Sequence, residues 1–130
     1  MGYTSISSKT NQLSNQIIGL AIKVHNHLGP GLLESSYKEC LFYEIIQAGL
    51  NAQKEKPLPL VYQDVKLEIG YRVDIMVENE LIIEIKSVES LTDIHTAQML
   101  TYLKLSGKRL GLLINFNVSY LKNGIKRLVL

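Results

Sequence analysis

Apolar residues near the start of the chain recur every three to four positions. Leu13, Ile17, Leu20, Ala21, Val24 and Leu28 define one face of a helix of about four turns. Residues 1–10 precede this pattern and are expected to form a flexible arm. Gly29-Pro30-Gly31 stops the helix, because proline cannot continue the hydrogen-bond ladder and glycine accepts the turn. A second helical period covers residues 32–48, with Leu33, Tyr37, Cys40, Leu41 and Ile45 as core positions and Gly49 as its stop. From Asn51 the pattern becomes strand-like, with residues 58–62, 65–69, 71–77 and 81–86 separated by turn-forming or charged residues. Thr92 caps a third expected helix that reaches Ser106 and is closed by Gly107. Residues 110–116 read as a fully buried strand and residues 125–130 as a short last one. The order ααβββαβ(β) predicts an α/β fold in which a mixed β-sheet is flanked by helices. A length of 130 residues makes residues 11–130 a single domain behind the arm.

Composition narrows what such a domain can do. With 14 Lys+Arg against 12 Asp+Glu the formal charge is +2, which excludes binding to nucleic acid by bulk charge. A local basic groove stays compatible with that balance; its candidates are Lys104, Lys108, Arg109, Lys122, Lys126 and Arg127. Hydrophobic residues at 46% and only three prolines indicate a folded chain, not a disordered one. No apolar run approaches the roughly 20 residues of a membrane span. The first fifteen residues lack the basic start and apolar stretch of a signal peptide. Ile6 stands where an N-myristoylation pattern needs Ser or Thr. The single Cys40 can form no intrachain disulfide, so a reducing cytoplasm is the expected location.

The most informative stretch is the pair of strands around Asn79. In a hairpin centred on Asn79, residues whose numbers sum to 158 face one another, so Asp74 lies opposite Glu84 with Cβ atoms about 5 Å apart. Lys86 points the same way, while Leu81, Ile83 and Ile85 fill the opposite face. A one-residue slip in the turn would break this alignment. Opposed carboxylates repel unless one is protonated or a cation lies between them. A divalent metal resolves the repulsion, and oxygen ligands with few imidazoles suit Mg²⁺, with Mn²⁺ as a substitute. Lys86 would then orient or deprotonate the attacking water. On an exposed hairpin face, by contrast, Asp74 or Glu84 would simply pair with Arg72 or Lys86.

On the third helix His95, Gln98 and Tyr102 fall within one polar sector at about 100° per residue, while Ile94, Ala97, Leu100, Leu103 and Leu105 point elsewhere and make the helix largely buried. Polar groups on a buried helix need partners, which either a site beside the sheet or internal backbone groups would supply. Glu34, Tyr37, Leu41 and Glu44 share a face of the second helix, where a first-turn carboxylate also interacts favourably with the helix dipole. His25 and His27 are expected on the helix surface or at its end. No Cys/His cluster has zinc spacing, and the Gly29-Pro30-Gly31 turn lacks the Lys-Ser/Thr ending of a phosphate-binding loop.

Taken together these motifs resemble the GxxExxY family, a branch of the PD-(D/E)XK nuclease superfamily. Gly31-Leu32-Leu33-Glu34-Ser35-Ser36-Tyr37 is similar to the motif that names the family, Asp74 with Glu84-Ile85-Lys86 to the superfamily's acidic and Glu-x-Lys elements, and Gln98-Met99-Leu100-Thr101-Tyr102 to the Gln-x-x-x-Tyr helix of RecB-type nucleases. Val73 stands where the superfamily pattern has proline. The likeness runs from about Gln12 to Leu130. It implies a restriction-endonuclease-like core and metal-dependent phosphodiester cleavage. Asp74, Glu84 and the Ile85 carbonyl would hold Mg²⁺, with Glu34 completing the acidic site as a ligand or through water. Lys86 would act on the attacking water, and Gln98 and Tyr102, with His95 in the same sector, would position the substrate.

The expected function is a Mg²⁺-dependent nuclease acting on DNA in preference to RNA, with no membrane partner. A homodimer is the expected state if both strands are to be cut. The alternatives are a catalytically inactive nuclease-fold module that binds nucleic acid or a protein partner, and a structural or assembly domain.

Overall fold

The computed structural model describes residues 6–130. Helices α1 (Ser8–Leu28) and α2 (Glu34–Gln47) are followed by strands β1 (Ala52–Pro57), β2 (Leu60–Tyr62), β3 (Val65–Leu67), β4 (Arg72–Val77) and β5 (Leu81–Lys86). Helix α3 (Asp93–Ser106), strand β6 (Leu110–Asn115), a 3-10 turn (Leu121–Gly124) and strand β7 (Ile125–Val129) complete the described residues. Five strands form a sheet in the order β1-β4-β5-β6-β7, and β2 pairs with β3 in a separate hairpin. Every neighbouring pair is antiparallel except β5 and β6, which run parallel. Helix α3 is the crossover that a parallel pair requires. The mixed sheet between helices is therefore the expected architecture.

The sheet is covered on both faces. Leu81, Ile83 and Ile85 of β5 pack with α1 and α2, whereas Ile82 packs with Met99, Tyr102 and Leu103 of α3. Strand β5 thus reads Leu-Ile-Ile-Glu-Ile without alternation, because both of its faces are dry. Glu84 is the one charged residue in that buried run. Gly111 of β6 lets α3 come close, since a Cβ there would stand 2.5 Å from the Met99 sulfur. Among the described residues no helix is long and apolar enough to cross a membrane.

Several sequence expectations shift. Residues 1–5 of the expected arm lie outside the described residues; of the rest, Ile6 packs against the core and Ser7 caps α1, accepting from the Thr10 N–H at 3.1 Å. Strand β1 was not expected. Its sequence, Ala-Gln-Lys-Glu-Lys-Pro, has no apolar alternation because it is an edge strand, and lysines and proline are what an unpaired edge tolerates. The middle of the chain accordingly holds five strands, β1 in addition to the four expected strand-like segments that the order ααβββαβ(β) undercounted. Leu33 and Ile94 are 74% and 76% exposed and Ala97 is also exposed, so helical spacing overstated the burial of α2 and α3 at those positions. His25 is buried, not on the surface, and its Nε2 lies 2.7 Å from the Val118 carbonyl oxygen. A long-range contact of that kind leaves no periodic trace.

Gly124 ends the 3-10 turn packed so closely on Asn115 that an added Cβ would overlap the Asn115 carbonyl oxygen. Gly124→Ala is expected to destabilise the protein by about 1–3 kcal/mol through forced backbone displacement, read as a lower urea midpoint.

Candidate active site

Strands β4 and β5 pair as Ile75↔Ile83, Met76↔Ile82 and Val77↔Leu81, the register in which numbers sum to 158. Glu78 and Asn79 turn the hairpin with positive φ angles of 52° and 53°, the left-handed pair that matches strand twist. One step beyond the paired residues, side chains replace the ladder. The Asp74 N–H donates to Glu84 Oε2 at 2.6 Å, and the Ile85 N–H donates to Asp74 Oδ2 at 2.8 Å. Each carboxylate is thus fixed by an amide of the facing strand.

The remaining oxygens, Asp74 Oδ1 and Glu84 Oε1, accept no hydrogen bond from the described residues. They are not sealed off either, because Ser14 Oγ is the one fully buried and unpartnered side-chain polar atom among those residues. Two carboxylates therefore share an anchored inner side and an open outer one. Neither forms an ion pair among the described residues, where the pairs are Lys23–Glu44, Lys38–Glu55, Lys54–Glu39 and Lys66–Glu68. Simple neutralisation by Arg72 or Lys86 is not what the hairpin does.

Burial and mutual repulsion appear in the acidities. Burial raises the Glu84 carboxyl to about 8, and the Asp74 charge adds to the effect. Asp74 is also raised, chiefly by burial, against the opposing pull of the Ile85 N–H and the Lys38 charge. The Tyr102 hydroxyl is raised by burial and by the charges of Glu84 and Asp74, so it keeps its proton at neutral pH.

Helix α3 brings its polar sector over this pair. Lys86 Nζ donates to Gln98 Oε1 at 3.4 Å, and Gln98 Nε2 donates to the Tyr102 hydroxyl at 3.3 Å. Asp74, Glu84, Lys86, Gln98 and Tyr102 are thereby gathered. Glu34 is exposed at the start of α2 and accepts from the Ser87 N–H at 3.3 Å, one residue past Lys86. It borders the pair without joining it, since no three His, Cys, Asp or Glu side chains among the described residues form a metal-sized cluster. His95 is engaged at the helix start, where its Nδ1 accepts from the Thr92 N–H at 3.0 Å and completes a capping box. Of the basic candidates, Lys126 bonds Thr96 at 2.8 Å, Arg127 bonds Asn11, and Arg109 donates to the Leu130 carbonyl at 3.2 Å.

Residues outside the expected set shape the site. Tyr37 donates to the Gly29 carbonyl at 2.5 Å, accepts from the Leu32 N–H at 3.1 Å and stacks on Phe116 with ring centroids 4.5 Å apart. Ser87 Oγ donates to the Leu32 carbonyl at 2.6 Å, so the same loop is tied to the end of β5. Buried Asn115 accepts from the Val88 N–H at 3.1 Å and donates to its carbonyl at 2.9 Å, holding the chain just beyond Lys86. Lys38 and Glu55 add a half-buried ion pair within the electrostatic reach of Asp74. Only Tyr37 is marked in the sequence, by the Gly31-Glu34-Tyr37 spacing; Ser87, Asn115, Lys38 and Glu55 carry no such mark, because their partners are distant in sequence.

Tyr37→Phe removes a bridging hydroxyl and is expected to cost about 1–3 kcal/mol in urea unfolding, because it leaves the Leu32 N–H and the Gly29 carbonyl without this partner. A pH dependence follows from Glu84. Its folded pKa is raised from 4.5 to about 8, so the folded state holds more protons than the unfolded one in that window. The stability Glu84 contributes is complete below about 4.5 and lost as pH rises through about 8. In metal-free buffer the stability difference between wild type and Glu84→Gln is expected to move in the variant's favour across that window; parallel profiles would contradict the assignment.

The family description of the PD-(D/E)XK nuclease superfamily matches residues 11–128. No curated protein and no solved structure matches the chain. The matched span includes the paired carboxylates, Lys86 and the polar face of α3, on a mixed sheet flanked by helices that agrees with a restriction-endonuclease-like fold. The chain belongs to the PD-(D/E)XK nuclease superfamily.

Proposed function

We propose that this chain is a Mg²⁺-dependent nuclease, with Mn²⁺ as a substitute ion, that hydrolyses DNA phosphodiester bonds, and that it is of the GxxExxY type. The observation that carries the reading is the Asp74–Glu84 pair, with Glu84 buried and Asp74 half-buried, without an ion-pair partner among the described residues, and with Lys86 two positions beyond Glu84. Its open oxygens, Oδ1 and Oε1, are hard donors of the kind Mg²⁺ and Mn²⁺ take. Asp74, Glu84 and the Ile85 carbonyl would hold the ion, with Glu34 alongside through water. When bound, the ion supplies Lewis-acid stabilisation of charge developing on the phosphate.

The chain's own groups do the rest. Lys86 lies beside the carboxylates, where it orients the attacking water and stabilises negative charge on the phosphate. Gln98 holds the Lys86 side chain through its Oε1. Tyr102, protonated at neutral pH, is a donor toward a phosphate oxygen. His95 serves the site indirectly by capping the helix that carries Gln98 and Tyr102. DNA structure, an end or a partner would choose the target, and a homodimer would cut both strands. The lone Cys40 suits a cytoplasmic setting.

Purified protein is expected to cut supercoiled plasmid or single-stranded DNA with Mg²⁺ or Mn²⁺ and to stop when EDTA is added. Lys86→Ala is expected to slow cleavage about 10²- to 10⁴-fold, and Asp74→Ala to abolish it, in variants whose circular dichroism matches wild type. Cleavage that survives both substitutions, or needs no metal, overturns the proposal. Saturable, salt-sensitive DNA binding with no cleavage in any divalent metal would favour a binding module instead.

A further inference from the structure

We infer that Lys38 is a contact for a substrate phosphate, a second cation of the site beside Lys86; this rests on the nuclease reading. Strand β1 pairs with β4 as Lys54↔Ile75 and Lys56↔Val73, a register that sets Glu55 against Asp74. At that one position the pairing is interrupted, and Glu55 takes a φ of 53°, left-handed backbone in the middle of a strand. A non-glycine residue persists there only when its surroundings hold it. The Glu55 side chain ends on Lys38 of α2. The distortion therefore serves to fix an ammonium within the electrostatic reach of Asp74.

Lys38 stands four residues beyond Glu34, on the same face of α2 that borders Ser87 and the end of β5. Its hydrogen bond to Glu55, and then the charges of Glu55 and Asp74, keep it firmly protonated. Docking α2 onto β1 does not account for this pair. Glu39 and Lys54 already join the same two elements at 2.5 Å, and Lys54 has no left-handed backbone. A phosphodiester approaching Asp74 and Glu84 meets an acidic pair of its own sign, and a lysine ammonium is a compact cation suited to offset it.

The test reads binding separately from cleavage. Affinity for a labelled duplex is measured by anisotropy between about 50 and about 200 mM salt, with Ca²⁺ in place of Mg²⁺. Lys38→Met is expected to reduce the slope of log K against log salt by about 1, uniformly across DNA sequences. Lys38→Arg keeps the wild-type slope, and so does Glu39→Gln, which loosens α2 on β1 without removing a cation. Lys38→Gln is read in parallel in case the methionine variant does not fold. A folded Lys38→Met or Lys38→Gln protein with the wild-type slope overturns the inference, as does an equal loss in Glu39→Gln. A wild type that binds but does not cut in Mg²⁺ or Mn²⁺ refutes the nuclease reading while the slope still decides on Lys38. A wild type without DNA affinity overturns both.

Discussion

Asp74 and Glu84 are two acidic groups held face to face on a covered sheet, and the rest of the architecture is arranged around that cost. Buried carboxylates resist ionisation, and two together resist it more. The chain keeps them in place with backbone amides of the opposite strand. Those amides serve as anchors only while the hairpin register is fixed, since a slip of one residue would put the two side chains on opposite faces. Burial on both sides of β5 secures the register, because Leu81, Ile83 and Ile85 would lose their core contacts in any other pairing.

The loop before α2 and the chain after β5 form one structural unit. Tyr37 closes the loop from within, Ser87 and Glu34 link it to the end of β5, and Asn115 holds the residue that follows. Phe116 completes the assembly by stacking on Tyr37. A tyrosine that looks like part of a catalytic motif is thus a brace, and its value to the site is positional. Lys86 and Ser87 owe their location to hydrogen bonds made by residues far from them in sequence.

Much of this was legible before any coordinates. The helical stripes located three helices, and the register that a hairpin centred on Asn79 implies, with Asp74 facing Glu84, is the one the strands adopt. The spacing of Gln98 and Tyr102 likewise announced a polar sector, which the structure connects to Lys86. Strand β1 escaped because an edge strand needs no apolar face. His95 shares the angular sector of Gln98 yet caps the helix start, since its position in the first turn puts it within reach of the Thr92 amide. Glu34 carries a motif's signature, but its carboxylate turns to Ser87.

The sequence by itself determined the three helices, the strands other than β1 and, once the hairpin is centred on Asn79, which side chains share a face, because those follow from local period and turn chemistry. Tertiary structure alone decided that the carboxylates would lack ion-pair partners among the described residues, that Lys86 would meet Gln98, and that Lys38 and Glu55 would stand beside Asp74. These contacts join helix to strand across long stretches of chain. Their charges interact according to burial and distance, and neither quantity exists until the layers have packed.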